Sequence, residues 1–360
     1  MNCYIHVPFC LSKCGYCAFF SEVCHDREIH RQYLDHLDKQ LKSAALPIFD
    51  TLYVGGGTPS AFDLPEMQQF LDILQHSLKF SPGAERSIEA NPETLTPEKV
   101  DLLRRYFTRI SIGIQSFDVQ LRSNIGRQCS EAALKNALDL IRTAEFPHWN
   151  VDLIYSLPGQ NAGMWERDLR TAASCGADHI SCYSLTPEHD AVMGDAFAED
   201  DEQEAVMFDM AERILREYNI ERYEISNYAH PGCECRHNLN VWQGQKLYGF
   251  GPSAADFDGK VRHIEPASLE LWLQNAVPET DVIPWTERLN EIFAVNLRTV
   301  AGWHKEMWER IPGADLWENR LGMAEKLQKI YPGALNISPE RIKLSGTGLL
   351  YWNDIAQEIL

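Results

Sequence analysis

A chain of 360 residues with 52 acidic and 33 basic side chains, net charge −19, has room for one large α/β domain and a smaller one. So acidic a chain is a poor match for a phosphate backbone or an anionic lipid surface, and no apolar run reaches membrane-spanning length. The start, MNCYIHVPFC, carries no basic leader, so the expected address is cytoplasmic.

In chain order, β-rich runs are expected at 3–7, 51–55, 86–90, 109–114, 148–154 and 179–185, and helical patterns at 26–45, 64–79, 97–107, 130–145 and 162–175. Leu134, Leu138 and Ile141 share one helical face, and Thr96 followed by Pro97 reads as an N-cap and first turn. The alternation predicts parallel βαβ units, either curved into an incomplete barrel or laid out as an open doubly wound sheet. Both architectures gather ligands at the C-terminal ends of the strands. An acidic helix is expected at 201–219, then an irregular Gly-, Cys- and His-rich segment up to about 262. Residues 1–262 are the expected core, 263–284, bracketed by Pro266 and Pro278 to Pro284, a linker, and 285–360 a small, mainly helical, winged-helix-like domain. That last part carries strands at 334–338 and 341–345 and a closing helix at 347–359.

Ten cysteines are too few for a disulfide scaffold, and their clustering in the first 24 residues points to metal chemistry. Cys10, Cys14 and Cys17 are spaced C-x3-C-x2-C, with Cys3, His6 and Cys24 at irregular distances around them. A tetrahedral zinc site wants four ligands; a four-iron cubane on three thiolates leaves one iron open. A zinc knot is the competing reading. Gly55, Gly56, Gly57 and Thr58 follow a strand, where bare backbone lets a ligand approach; a plain tight turn is the alternative. Glu89 ends the third strand, where a carboxylate can accept ribose hydroxyls, and Gln115 and Asp152 end the next two. Arg127 lies in the loop beyond Gln115, its fork suited to a carboxylate. Asp118, Asp178 and the acidic run 199–204 read as solvated or capping charges, and Cys129, Cys175 and Cys182 as buried apolar residues.

YIHVPFC and GYCAFF around the thiols, LYVGGGTPS, EANPETLT (89–96), RISIGIQSF (109–117), GRQ (126–128), VDLIYSLPGQ (151–160) and RHNLNVW (236–242) together resemble the radical S-adenosylmethionine (SAM) enzymes. Within them, the chain is similar to the branch of oxygen-independent coproporphyrinogen oxidases and HemW-type heme chaperones. The resemblance implies a partial (β/α)6 barrel and a 4Fe-4S cluster on Cys10, Cys14 and Cys17, with SAM chelating the fourth iron. It implies SAM contacts at Tyr4, Tyr16, Gly56, Gly57, Thr58, Glu89, Gln115, Arg127 and Asp152, with Tyr16 beside the adenine. The oxidases carry a fourth cysteine where this chain has Phe19, and an extension ahead of the first strand that is not expected here. The chaperone signature H-N-x-x-Y-W reads His237-Asn238-Leu239-Asn240-Val241-Trp242, with Val241 departing from it.

The resemblance therefore implies a heme chaperone that binds heme through His237 and delivers it to respiratory apoproteins. The alternative is a coproporphyrinogen III oxidase, and the alternative for His237 is a stitch beneath the barrel mouth. Cys233 and Cys235 stand near His237 as soft ligands. A low-potential donor such as flavodoxin or ferredoxin, homodimerisation and peripheral membrane contact during delivery are implied; nucleic acid binding is not.

Overall fold

In the computed structural model, which describes residues 1–185 and 201–360, the strand runs and helical patterns follow the expected order. Strand β1 (Asn2–Val7) leads into a short parallel pair, β2 (Phe9–Cys10) and β3 (Glu22–Val23). The main sheet continues through β4 (Ile48–Gly56), β5 (Lys79–Ala90), β6 (Arg109–Gln115), β7 (His148–Tyr155) and β8 (His179–Ser184). These six long strands are parallel, and their spatial order β1-β4-β5-β6-β7-β8 follows the chain without reversal. A doubly wound sheet reverses at a switch point, so this is the winding of a partial (β/α)6 barrel.

The helices between them are α1 (Arg27–Ser43), α2 (Leu64–Ser77), α3 (Pro97–Tyr106), α4 (Val119–Asn124), α5 (Glu131–Ala144) and α6 (Ala162–Ser174). Each starts at a side-chain cap: Asp26, Asp63, Thr96, Asp118, Ser130 and Asn161 accept from backbone N–H groups of the first turn. Their buried stripes, such as Tyr33, Leu34, Leu37 and Leu41 of α1, cover the outer strand faces carrying Ile5, Val7, Leu52, Val54, Ile110, Ile112, Val151 and Ile180.

The opposite strand faces are polar at period two: Asn2, Tyr4 and His6; Thr51 and Tyr53; Glu85, Ser87 and Glu89; Arg109 and Ser111; His148, Asn150 and Asp152; His179 and Ser181. Cross-strand hydrogen bonds knit this interior. Asn150 Nδ2 donates to Ser111 Oγ at 2.7 Å and Ser181 Oγ at 3.0 Å, and Tyr53 OH donates to Glu89 Oε1 at 2.8 Å. A lumen so lined suits a polar ligand rather than a packed aliphatic core.

Beyond β8, helix α7 (Asp201–Arg216) leads to β9 (Glu221–Arg222) and β10 (Asn227–Ala229), which extend that edge antiparallel. Residues 199 and 200 of the acidic run lie outside the described residues. Helix α8 (Arg236–Trp242) follows, and β11 (Leu247–Phe250) then joins the opposite edge, parallel to β1. Strands β12 (Ala255–Phe257), β13 (Val261–Ile264) and β14 (Glu279–Val282) continue it antiparallel. The stretch 263–284 is therefore no free linker: β13 crosses the expected boundary and pairs with β14. Between them Trp272, on helix α9 (Leu269–Leu273), is buried 5.3 Å from the Tyr33 ring. Pro266 and Pro278 lie just outside these strands, where no ladder N–H is missed.

The C-terminal segment holds helices Trp285–Asn296 and Trp317–Ile330 around a small antiparallel sheet. That sheet comprises Trp303–His304, Leu335–Ser338 and Arg341–Leu344, and its first strand was not expected. The closing helix is split into Gly346–Leu350 and Trp352–Ile359. Cys129 and Cys182 are buried as expected, whereas Cys175 is half-buried, its thiol donating to Ala172 O at 3.0 Å. Among the described residues, no helix is long and apolar enough to cross a membrane.

Candidate functional site

The β2–β3 pairing, Phe9 with Glu22 and Cys10 with Val23, closes a loop over residues 11–21 at the C-terminal mouth of the barrel. The three thiols lie on it. Cys10 sits at its root, Sγ 3.4 Å from Thr58 Oγ1. Cys17 N donates to Cys14 O at 3.3 Å, a tight turn that draws the second and third thiols together, and Gly15 N donates to Ile125 O at 3.0 Å across the mouth. Lys13 Nζ donates to Phe19 O and Ser21 Oγ, both at 2.8 Å.

All three sulfurs are half-buried. Burial pushes the Cys14 and Cys17 thiols up, and the neighbouring thiols add to it, while Arg127 opposes the rise at Cys14. A cationic centre that takes the sulfurs as thiolates removes this penalty, so the donor set fits a metal cluster. Cys3 is fully buried on the outer face of β1, in step with Ile5 and Val7, and Cys24 turns to Asp26 O, so neither joins the set. Phe19, at the position of the oxidases' fourth cysteine, is 72% exposed.

The Gly55-Gly56-Gly57 run is required by close packing of the chain on itself. A Cβ on Gly55 would lie 2.8 Å from the Glu89 carboxylate, one on Gly56 2.7 Å from the His6 ring, and one on Gly57 2.7 Å from Phe9 O. Gly56 also has φ +113°. His6 is the hinge of this packing: Nε2–H donates to Phe20 O at 2.8 Å, leaving Nδ1 to accept from Tyr4 OH at 3.1 Å. Sequence reading set His6 aside, although it lies in step with Tyr4 on β1. Thr58 is buried, its Oγ1 accepting from Asn91 Nδ2 at 2.8 Å.

Below the loop, Glu89 and Asp152 face one another across the lumen. Burial, then the charge of Asp152, pushes Glu89 up to about 7, and the Tyr53 hydroxyl holds its orientation. Asp152 is raised by burial; Ser111 Oγ donates to it at 2.8 Å and Asn150 Nδ2 at 2.7 Å. It lies in the middle of β7 rather than at its end, deeper than expected.

Gln115 does end β6, in a left-handed conformation (φ 72°) beside a bulge. Such strain in a non-glycine residue is characteristic of ligand sites. Arg127 is buried at the same mouth. Its Nη2 donates to Gly113 O at 2.7 Å and its Nη1 lies 3.3 Å from Glu93 Oε1, a partner the sequence did not reveal; Nε has no hydrogen-bond partner. The Gln160 amide nitrogen is likewise buried without one. Tyr16 packs on an apolar wall of Leu121, Ile125, Ile154 and Leu157. Cysteine loop, glycine run, carboxylates and Arg127 thus converge on one mouth.

His237 does not. It lies at the opposite end of the barrel, where α8 closes the floor. Its Nδ1 shares a hydrogen bond with Thr51 Oγ1 at 2.9 Å, its backbone N donates to Glu85 Oε1 at 3.0 Å, and its ring lies 5.3 Å from that of Tyr53. Burial pulls its pKa down to about 4. The expected axial ligand is therefore, in this conformation, a buried histidine stitching the floor. Asn240 Nδ2 donates to Asn2 Oδ1 at 2.8 Å, and Trp242 packs under the Arg298 guanidinium at 4.2 Å. The signature residues join the barrel floor to the C-terminal segment.

The winding and the three-thiol mouth are those of a radical SAM protein, and residues 4–172 match the Radical SAM superfamily. The Escherichia coli coproporphyrinogen III oxidase HemN, a radical SAM enzyme, shares the fold: TM-score 0.86 over 99% of this chain and 89% of that one, at 20% identity. A heme chaperone HemW of Bacillus subtilis (strain 168) is 29% identical, covering 98% of this chain and 97% of that protein. One of Mycobacterium tuberculosis (strain CDC 1551 / Oshkosh) is 31% identical over 99% and 94%. The Escherichia coli (strain K12) protein of that name is 34% identical over 71% and 69%. The chain belongs to the HemW family of the radical SAM superfamily. Membership of that superfamily implies a 4Fe-4S cluster and SAM.

Proposed function

We propose that this chain is a heme chaperone, taking up heme and passing it to respiratory apoproteins, with a SAM-liganded 4Fe-4S cluster supporting the handover. The observation that carries the reading is relatedness over nearly the whole chain to proteins named for that role. Phe19 in place of a fourth cysteine supports it over the oxidase.

Cys10, Cys14 and Cys17 hold the cluster, which when bound supplies an electron to SAM. The protein's part is orientation. Gly56, Gly57 and Thr58 offer backbone and hydroxyl groups to the SAM amino group, and Tyr4, aligned by His6, stands beside them. Gln115 and the free edge of Arg127 face the carboxylate side. Glu89 and Asp152 accept from ribose hydroxyls, and Tyr16 flanks the adenine. Heme ligation by His237 requires its Thr51 bond to break and the α8 floor to open. A low-potential flavodoxin or ferredoxin as donor, dimer formation, a cytoplasmic address and transient membrane contact complete the reading.

The fold shared with HemN favours a second reading, oxidative decarboxylation of coproporphyrinogen III. Anaerobically reconstituted protein separates the two. Stable uptake of hemin without protoporphyrinogen formation supports the chaperone; turnover of coproporphyrinogen III with SAM supports the oxidase. A His237→Ala variant with unchanged heme affinity removes His237 from the heme site.

A further inference from the structure

At the floor of the barrel, away from the thiol loop, His148, Asp178 and Cys233 each offer a ligand atom, and these atoms all lie within 4.8 Å of one another. His148 opens β7, Asp178 immediately precedes β8 on the neighbouring strand, and Cys233 arrives on the loop before α8. We propose that these three residues bind one divalent cation of the zinc class.

The donor set is imidazole, carboxylate and thiol, the mixture that borderline-soft divalent ions take up, and three protein ligands leave a fourth position for water. The geometry is prepared. His148 Nδ1 lies 2.6 Å from Asp178 Oδ2, while Asp178 Oδ1 accepts from Trp149 N at 3.1 Å, fixing the carboxylate plane. The cysteine is tethered on both sides: Cys233 N donates to His230 O and His230 N to Asp178 O, both at 2.9 Å. Arg109 Nη2 donates to Cys233 O at 2.7 Å and Glu234 O at 3.2 Å. The Arg109 charge is itself matched by Glu85 at 3.3 Å, so it does not leave a bare cation beside the site.

Zinc–ligand bonds in a tetrahedron hold neighbouring ligand atoms about 3.3–3.6 Å apart. The imidazole and carboxylate must therefore separate by about 0.7 Å, which replacing their shared proton with a metal ion accomplishes. The imidazole proton moves to Nε2, the thiol proton leaves to solvent, and thiolate plus carboxylate neutralise the dication. The His148 and Asp178 side chains are 34% and 20% exposed, which gives the ion a way in. Bound there, it would clamp the loop leading into α8 to the starts of β7 and β8, holding the floor shut.

The test uses the cluster-loaded protein, so that iron occupies Cys10, Cys14 and Cys17, with adventitious metal first removed by a mild chelator. Zinc is titrated against a chromophoric competitor while iron content is followed. The expected result is one zinc per chain beyond the cluster, bound at least tenfold more weakly by Cys233→Ser and by His148→Gln at unchanged iron content. No zinc uptake by the wild type, or wild-type affinity in both variants, overturns the proposal. If either variant loses iron the other decides. If both do, zinc-edge X-ray absorption of the wild type decides: a sulfur ligand supports the site, and oxygen or nitrogen ligands alone overturn it.

Discussion

Gly56→Ala tests whether the glycine run exists to seat His6 under the thiol loop. At φ +113°, an alanine carries backbone strain of about 1–3 kcal/mol. Its Cβ would stand 2.7 Å from His6 Cε1 and Nε2 and 2.8 Å from Cδ2, so the ring must move. Displacing it breaks the bonds to Phe20 O and Tyr4 OH, each worth about 1 kcal/mol, and strands a carbonyl for about 1–3 kcal/mol more. The sum is roughly 4–8 kcal/mol, enough to loosen the cysteine loop. Gly83→Ala is the matched control: φ is +72° and nothing lies within 4 Å of an added Cβ, so only about 1–2 kcal/mol of strain is expected. Urea midpoints of the apoproteins and iron per chain after anaerobic reconstitution are the readouts. Gly56→Ala should lose both stability and iron, and Gly83→Ala should keep its iron. Equal midpoints with full iron in both would refute the packing argument.

Three further outcomes are expected. Glu89 in the apoprotein sits near 7 against an ordinary 4.5, so its contribution to stability is full below 4.5 and is lost as pH rises through 7. Glu89→Gln should therefore exceed the wild type at pH 8 by about 3 kcal/mol and lose that advantage towards pH 4, checked by urea unfolding at both pH values; a pH-independent difference contradicts the assignment. Asp152→Asn and Arg127→Ala should each weaken SAM binding at least tenfold at unchanged iron content, measured by equilibrium binding to the loaded protein; loss of iron instead assigns them to the fold. Arg298→Ala removes the guanidinium from between Trp242 and Trp352, at 4.2 and 4.8 Å, and leaves the fully buried Glu224 without its 3.2 Å partner. A loss of about 3–5 kcal/mol, with faster proteolysis of the C-terminal segment, is expected.

The strand and helix order was legible because each element carries its own period and most helices their own cap, as Thr96 and Pro97 show. The thiol loop was legible because its ligands are close in sequence. The polar lining was only half seen: Ser111, Asn150 and Ser181 alternate with apolar residues just as a solvent face does, and only closure of the sheet turns that face inward. Glu93, the partner of Arg127, and β11, which reaches β1 from the far side of the chain, depend on long-range pairing that no local pattern encodes. Pro266 and Pro278 suggested a linker because proline marks strand ends as well as free loops. The spacing around His237 gave no sign of which end of the barrel it serves; that followed from its bonds to Thr51 and Glu85, which pair with each other on β4 and β5, far from His237 in the chain.

The most direct trial of the central reading is anaerobic reconstitution followed by hemin titration with and without SAM, and transfer of the bound heme to an apo-respiratory protein. Four irons per chain, a cluster spectrum that changes on adding SAM, and heme that passes to the acceptor are the results expected. Zinc in place of iron, or a cluster indifferent to SAM in a protein that does not take up heme, would contradict it.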